Sequence, residues 1–267
     1  MEYRKGRTNL SATIFVPYDC KNNCPFCTSK ADYKDCENFS TVKIVETIER
    51  LNKNPLIQEY VITGGEPLAS LLCLSYIVNA TRKPVYINTT LPKENLDNAI
   101  DYINKEDKIK GINISRHMNF DFDCVASVED MDRIEKSIRI NSVISDSGLS
   151  KTEFNNFLSK YGKKKRDINL RANYKTMTVD KLKIMDDISL MLSEYFDYIC
   201  TESCMVCNSE HYSVNDKFLC SYHRGLEKSS VQVGNKCYVN DIIVKQDGSV
   251  YKDWDCVKDE SFNEWVL

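Results

Sequence analysis

The sequence predicts an α/β protein, a partial (β/α)6 barrel with a small cysteine-rich C-terminal extension. Three observations predict it. Short β-rich runs alternate with helical patterns through the first two thirds of the chain, the mark of a parallel sheet with crossover helices. About six such units occur, too few for a complete eight-fold barrel, so a partial barrel or an open sheet fits. After about residue 195 the pattern breaks into short segments with a second group of cysteines. The expected division is 1–195 for the barrel and 196–267 for the extension.

The elements follow in order. Ala12 to Val16 reads as a strand that runs straight into a cysteine-bearing loop. Ser40 is placed to cap a helix with Ile44, Val45, Ile48 and Leu51 on one face. Tyr60 to Thr63 is the second strand and ends at Gly64-Gly65. Further strands are expected over 85–88, 111–115, 137–144 and 168–171. Helical patterns separate them over 71–80, 94–104, 128–136 and 151–161. Ile242 to Val244, Asp247-Gly248 and Val250-Tyr251 read as a hairpin. Lys163 to Arg166 reads as a solvated basic loop. In a sheet of this kind chemistry belongs at the carboxyl ends of the strands, where both the cysteine loop and Gly64-Gly65 fall.

Lys and Arg number 36 against 39 Asp and Glu, a net charge of -3. That near balance argues against a coat for long nucleic acid or a membrane-surface protein. No run approaches the ~18 apolar residues of a spanning helix, and no signal peptide is seen, so a cytoplasmic protein is expected. A reducing cytosol keeps thiols free, and clustered cysteines there suggest metal binding or catalysis. Of the 12 cysteines, Cys73 and Cys124 are expected as small buried hydrophobes, and less strongly Cys237 and Cys256.

Residues 19–28 read D-C-K-N-N-C-P-F-C-T, placing Cys20, Cys24 and Cys27 at C-x3-C-x2-C. Thiolates bind zinc and iron-sulfur clusters, and both readings are open on spacing alone. Three thiolates on a [4Fe-4S] cube leave the fourth iron without a protein ligand. With only nine glycines in the chain, a paired Gly64-Gly65 at a strand end is a conspicuous use of them.

The C-x3-C-x2-C loop after the first strand, the aromatic Phe26 before its last cysteine, and Gly64-Gly65-Glu66-Pro67 after the second strand together resemble the radical S-adenosylmethionine (SAM) superfamily. The resemblance implies a [4Fe-4S] cluster held by Cys20, Cys24 and Cys27, with the amino and carboxylate groups of SAM on the open iron. It implies reductive cleavage of SAM to a 5′-deoxyadenosyl radical that removes hydrogen from a substrate. The Gly64-Gly65-Glu66-Pro67 loop would meet the methionine amino group, with Glu66 as acceptor. By analogy of position, Asn88, Thr89, Ser115 and Asn141 would complete the SAM site. His117, at a strand end, is the histidine expected to face substrate; His211 and His223 are expected as polar or partly buried residues. An electron donor such as flavodoxin or ferredoxin is implied.

Cys200, Cys204, Cys207 and Cys220 form the second group, with C-x2-C-x12-C spacing across the last three. This segment is similar to the auxiliary-cluster region of the molybdopterin-pathway GTP cyclase and of radical SAM proteins with twitch or SPASM extensions. It departs from the cyclase in lacking basic residues after the second cysteine, where Asn208 to His211 stand, and in ending E-W-V-L without a glycine tail. Both count against GTP cyclisation. Three-cysteine ligation with an open iron, or four-cysteine ligation as a closed cluster or zinc, remain alternatives. The leading expectation is a radical SAM enzyme acting on a small molecule, nucleotide or peptide. A glycyl-radical activating enzyme or a non-catalytic zinc or iron-sulfur module are the rivals.

Overall fold

In the computed structural model the residues described are 1–6, 10–30, 33, 38–118, 120–144, 148–163, 166–173, 179–203, 207–215, 217–225 and 229–267. An 11-stranded sheet dominates. In chain order its strands are β2 (Leu10–Phe15), β3 (Ile57–Thr63), β4 (Val85–Thr89), β5 (Ile109–Ser115), β6 (Ser137–Val143), β7 (Arg166–Arg171), β8 (Asp197–Ser203), β9 (Cys207–Val214), β10 (Phe218–Gly225), β13 (Asp241–Val244) and β14 (Val250–Tyr251). Their spatial order is β14-β13-β2-β3-β4-β5-β6-β7-β10-β9-β8. The six central strands run parallel in sequence order, as the alternation predicts. A second, three-stranded sheet joins β1 (Glu2–Lys5), β12 (Lys236–Val239) and β11 (Ser230–Val233).

Helices α1 (Thr41–Leu51), α2 (Leu71–Ala80), α3 (Leu96–Lys105), α4 (Val128–Met131), α5 (Lys151–Tyr161) and α6 (Val179–Tyr195) connect the strands, and α7 (Glu260–Val266) ends the chain. Ser40, Ser70 and Ser150 each accept a hydrogen bond from a first-turn amide, fixing where α1, α2 and α5 begin. The helix expected over 128–136 is a single turn, closed by a Ser127–Asp130 capping box. No described helix is long and apolar enough to cross a membrane.

Alternation along the strands sorts the side chains onto two faces. Val85 and Ile87, Ile112 and Ile114, and Ile168 and Leu170 are buried in one core with Ile44, Ile48, Leu74 and Ile100 from the helices. Asn88, Asn113, Asn141 and Asn169 take the opposite, inner face. There they form two hydrogen-bonded rows. Asn113 donates to Asn88 at 2.8 Å, and Asn88 donates to Thr63 at 3.3 Å. Asn169 donates to Asn141 at 3.0 Å, and Ser221 donates to Asn169 at 3.0 Å.

The extension is stitched to both edges of the barrel strands. β10 pairs parallel with β7, and β13 pairs parallel with β2. After residue 195, β8, β9, β10, β13 and β14 therefore lengthen the large sheet at its two ends, while β11 and β12 join β1 in the second sheet. The expected hairpin is present as β13 and β14. The basic loop reading fails at Arg166, which is 2% exposed, begins β7, and bonds the Val128 carbonyl and Asp132. Lys164 and Lys165 lie outside the described residues.

Candidate active site

The cysteine loop leaves the carboxyl end of β2 and lies against the loop that leaves β3. Gly65 is the reason the two can meet. A Cβ at Gly65 would stand 2.2 Å from the Tyr18 carbonyl oxygen and 2.6 Å from the Asp19 carbonyl carbon. These are backbone atoms of the cysteine loop, so no side chain can swing aside. Gly64 has φ +110°, and a Cβ there would meet the Tyr33 hydroxyl at 2.2 Å. Tyr33 ties the same junction, donating to the Val16 carbonyl at 2.8 Å and accepting from the Gly65 amide at 2.6 Å. The paired glycines thus serve close approach of two loops, where close approach to a ligand was expected.

Lys30 closes the cysteine loop, with Nζ 2.9 Å from the Cys20 carbonyl and 3.3 Å from the Asn22 carbonyl. The Asn22 backbone amide and Nδ2 approach Cys20 Sγ at 3.4 and 3.5 Å. Cys20, Cys24 and Cys27 are all partly accessible. The Cys24 thiol is pushed up to about 12, first by burial and then by the neighbouring Cys27 and Cys20. Burial also raises Cys20, against the donors at Asn22. Cys27 and Cys20 thus lie close enough to act on Cys24, and three thiolates gathered in one loop would require a cation. Among the described residues no three His, Cys, Asp or Glu side chains converge to hold a single metal ion. A [4Fe-4S] cube takes one thiolate per iron and does not require such convergence. The donor set of this loop, three sulfurs with N–H donors to one of them and a lysine behind, fits a cluster of that kind.

Glu66 is 4% exposed, and every acceptor position it has is used. Its Oε1 accepts from the Leu68 amide at 3.1 Å and from the Thr89 hydroxyl. Its Oε2 accepts from the Thr90 amide at 2.7 Å and the Thr90 hydroxyl at 2.6 Å. The carboxylate caps the short 3-10 turn Pro67–Ala69, with the buried Pro67 at its first position. The expected role of Glu66 as a free acceptor is therefore corrected: it is a strut from the β3 loop to the β4 loop. Thr89 is corrected with it, being 3% exposed with its hydroxyl spent on Glu66 and the Leu91 amide. Arg116 continues the strut to β5. It is 4% exposed and donates to the carbonyls of Thr90, Ser115 and Ala126 at 2.7, 2.7 and 3.0 Å. Burial lowers its pKa, and nearby Glu66 opposes that shift.

Phe26 and His117 meet. Their rings pack edge to face with centroids 4.3 Å apart, and Phe120 and Phe122 extend the cluster. His117 Nδ1 accepts from the Val143 amide at 3.0 Å. Burial, then the Arg116 charge, lowers its pKa to about 4, so the imidazole is neutral at pH 7 with its proton on Nε2. His117 docks the cysteine loop onto the β5 loop, where a substrate-facing group was expected. Sequence reasoning missed Tyr33, Thr90 and Arg116, none of which sits in a motif.

The described cysteines of the second group, Cys200, Cys207 and Cys220, do not share one face of the sheet. Cys220 is fully buried and pairs across the sheet with Tyr212 and Ile168, on the helix-facing side. Burial pushes its thiol up to about 12. Cys200 stands opposite His211, which stands opposite Ser221, so Cys200 belongs to the inner face. Cys207 shares that face but lies four residues along β9 from His211, about 13 Å away at roughly 3.3 Å per residue. Cys204 lies outside the described residues. Of the expected ligand set Cys200, Cys204, Cys207 and Cys220, Cys220 is the member that this geometry sets apart, since it points away from the other two described thiols. His211 Nε2 instead faces Glu202 at 3.6 Å. Cys237 is buried as expected, whereas Cys124 is exposed and Cys73 only partly buried.

No family model matches the sequence, and no curated protein sequence does. Solved structures share the fold. Streptococcus suis SuiB bound to precursor peptide SuiA aligns with a TM-score of 0.56 and 15% identity, over 91% of this chain and 59% of that one. SuiB bound to S-adenosylmethionine gives 0.58 and 13%, over 91% and 60%. Native anSMEcpe with bound AdoMet and Cp18Cys peptide gives 0.57 and 12%, over 93% and 75%. The chain shares the α/β partial-barrel fold of these structures. The chain spans about three fifths of the length of SuiB.

Proposed function

We propose that the protein is a radical SAM enzyme whose cluster is held by Cys20, Cys24 and Cys27. The observation that carries the reading is the junction at Gly65, where a three-thiol loop lies backbone to backbone on the Gly64-Gly65-Glu66-Pro67 loop. A structural metal site needs no such partner loop; a site that must hold a cofactor beside its cluster does. The neighbouring structures that hold S-adenosylmethionine support the same reading.

When bound, the reduced cluster supplies one-electron cleavage of SAM and removal of a hydrogen atom from the substrate. The chain's own residues do the positioning. Tyr33 and Gly65 fix the two loops against each other, and Glu66, Thr90 and Arg116 lock the loops after β3, β4 and β5 into one body. Phe26 and His117 brace the far side of the cysteine loop. Asn88, Ser115 and Asn141 remain on the inner face, where SAM and substrate would lie. The electron would come from a small redox protein such as flavodoxin or ferredoxin. We favour a peptide substrate, because neighbouring structures hold peptides. The second cluster is left out of the proposal, because its described thiols lie on opposite faces of the sheet.

The test is anaerobic reconstitution with iron and sulfide, followed by SAM and dithionite. Formation of 5′-deoxyadenosine that disappears in C24A supports the reading. Protein that retains only zinc and leaves SAM intact refutes it.

A further inference from the structure

Three enclosed arginines among the described residues are tied to acceptors. Arg116 serves three carbonyls, Arg166 serves Val128 and Asp132, and Arg224 serves Asp186 and Glu210. Arg166 keeps one buried nitrogen, Nη1, without a partner but is anchored through Nη2, whereas no side-chain hydrogen bond anchors Arg171. It is the last residue of β7, at the carboxyl end of the sheet. It alternates with buried Leu170 and lies two residues beyond Asn169, which places it on the inner face with the Asn141–Asn169–Ser221 row. Its Nε is closed off from solvent and has no hydrogen-bond partner. Its main chain is occupied normally, the carbonyl accepting from the Ile144 amide at 2.8 Å.

A guanidinium nitrogen shut away from water without an acceptor is costly, and such groups need a reason to be there. The inner-face carboxylate of the same strand, Asp167, lies four residues back and accepts from the Leu219 amide at 3.0 Å. Beside Arg171 in register stands His223 of β10, a second potential donor to an anion. On the other side its register partner is Val143 of β6, and the Asn141–Asn169–Ser221 row continues the inner face behind it. No glycine follows β7 through residue 178, so the sequence there lacks the glycine-rich pattern of a phosphate loop. A planar guanidinium fork suits a single planar carboxylate.

We propose that Arg171 is a binding residue for a carboxylate of the substrate, an acidic side chain or a chain terminus. This rests on the proposed function at one point only, that the inner face at the carboxyl ends of the strands receives the substrate. Binding of the carboxylate is a property of the chain itself and is measured apart from SAM cleavage.

The experiment follows the Arg171 Nε–H resonance in full-length protein labelled with 15N-arginine, assigned by its loss in R171K. The probes are N-acetyl-glutamate amide and its neutral counterpart N-acetyl-glutamine amide, at fixed ionic strength. The expected result is a saturable shift with the glutamate probe and none with the glutamine probe. Binding followed on the probe's own resonances should weaken roughly tenfold to a hundredfold in R171A. Equal responses to both probes, or a shift reproduced by sodium chloride, would overturn the proposal. So would a stronger response to inorganic phosphate, or displacement of the probe by SAM alone, which would assign Arg171 to the cofactor. Protein that binds the probe but forms no 5′-deoxyadenosine keeps the carboxylate site and fails the radical SAM reading.

Discussion

Gly65→Ala isolates the contact on which the active-site account depends. The backbone at Gly65 is not in the left-handed region, so alanine imposes no conformational strain, and the added methyl group is the whole perturbation. That methyl would lie 2.2 Å from Tyr18 O, 2.6 Å from Asp19 C and 2.8 Å from Asp19 Cα. Restoring ordinary contact requires the cysteine loop and the Gly64-Gly65 loop to part by about 1.2 Å. Overpacking of this size costs about 1–3 kcal/mol, or a fall in Tm of several degrees for a chain of this length. The larger effect should be on chemistry, since a misplacement of ~1 Å between reacting groups costs on the order of 10²-fold. The assay measures iron content, Tm and the rate of 5′-deoxyadenosine formation in G65A. Gly234→Ala is the control, with a positive φ of +61° but nothing within 4 Å. It should lose a little stability and no activity. A G65A protein with wild-type iron and wild-type rate would refute the reasoning.

Three further outcomes follow from the geometry. Cys220→Ala should leave reconstituted iron and SAM cleavage unchanged while lowering stability by about 1–2 kcal/mol for the small cavity; loss of half the iron would restore Cys220 as a ligand. Glu66→Gln places an amide against the Thr89 and Thr90 donors, costing about 1–3 kcal/mol, which thermal denaturation would read. His117, depressed to about 4 from an ordinary 6.5, favours the folded state in its neutral form. Its contribution is full above about pH 6.5 and is lost as pH falls toward 4, so folding should weaken by about 3 kcal/mol over that window. His117→Phe should flatten that dependence, and an unchanged slope would remove His117 as its source.

The six central strands were legible because each carries its own local signal. Val85-Tyr86-Ile87-Asn88 and Ile112 to Ser115 alternate apolar and polar residues, and that alternation is what the two faces of the sheet require. Helix α6 was not legible, because Ile184, Ile188, Leu190 and Met191 spread apolar character around it, with Leu190 exposed. The pairing of β13 with β2 joins residues some 230 positions apart and leaves no local mark. The first thiol loop and its glycine partner could be found because a short motif fixes both. Cys220 misled because spacing counts residues and is blind to which face of a strand each one takes. The strut of Glu66, Thr90 and Arg116 was hidden for the same reason: its members meet only when three strand ends are side by side.

The central claim is that the thiols of Cys20, Cys24 and Cys27 hold a cluster with one iron open to SAM. Electron paramagnetic resonance of the reduced, reconstituted protein tests it most directly. The account predicts a [4Fe-4S] signal that changes shape when SAM is added and is absent from C24A. A signal that SAM leaves untouched, or one that survives in C24A, would contradict it.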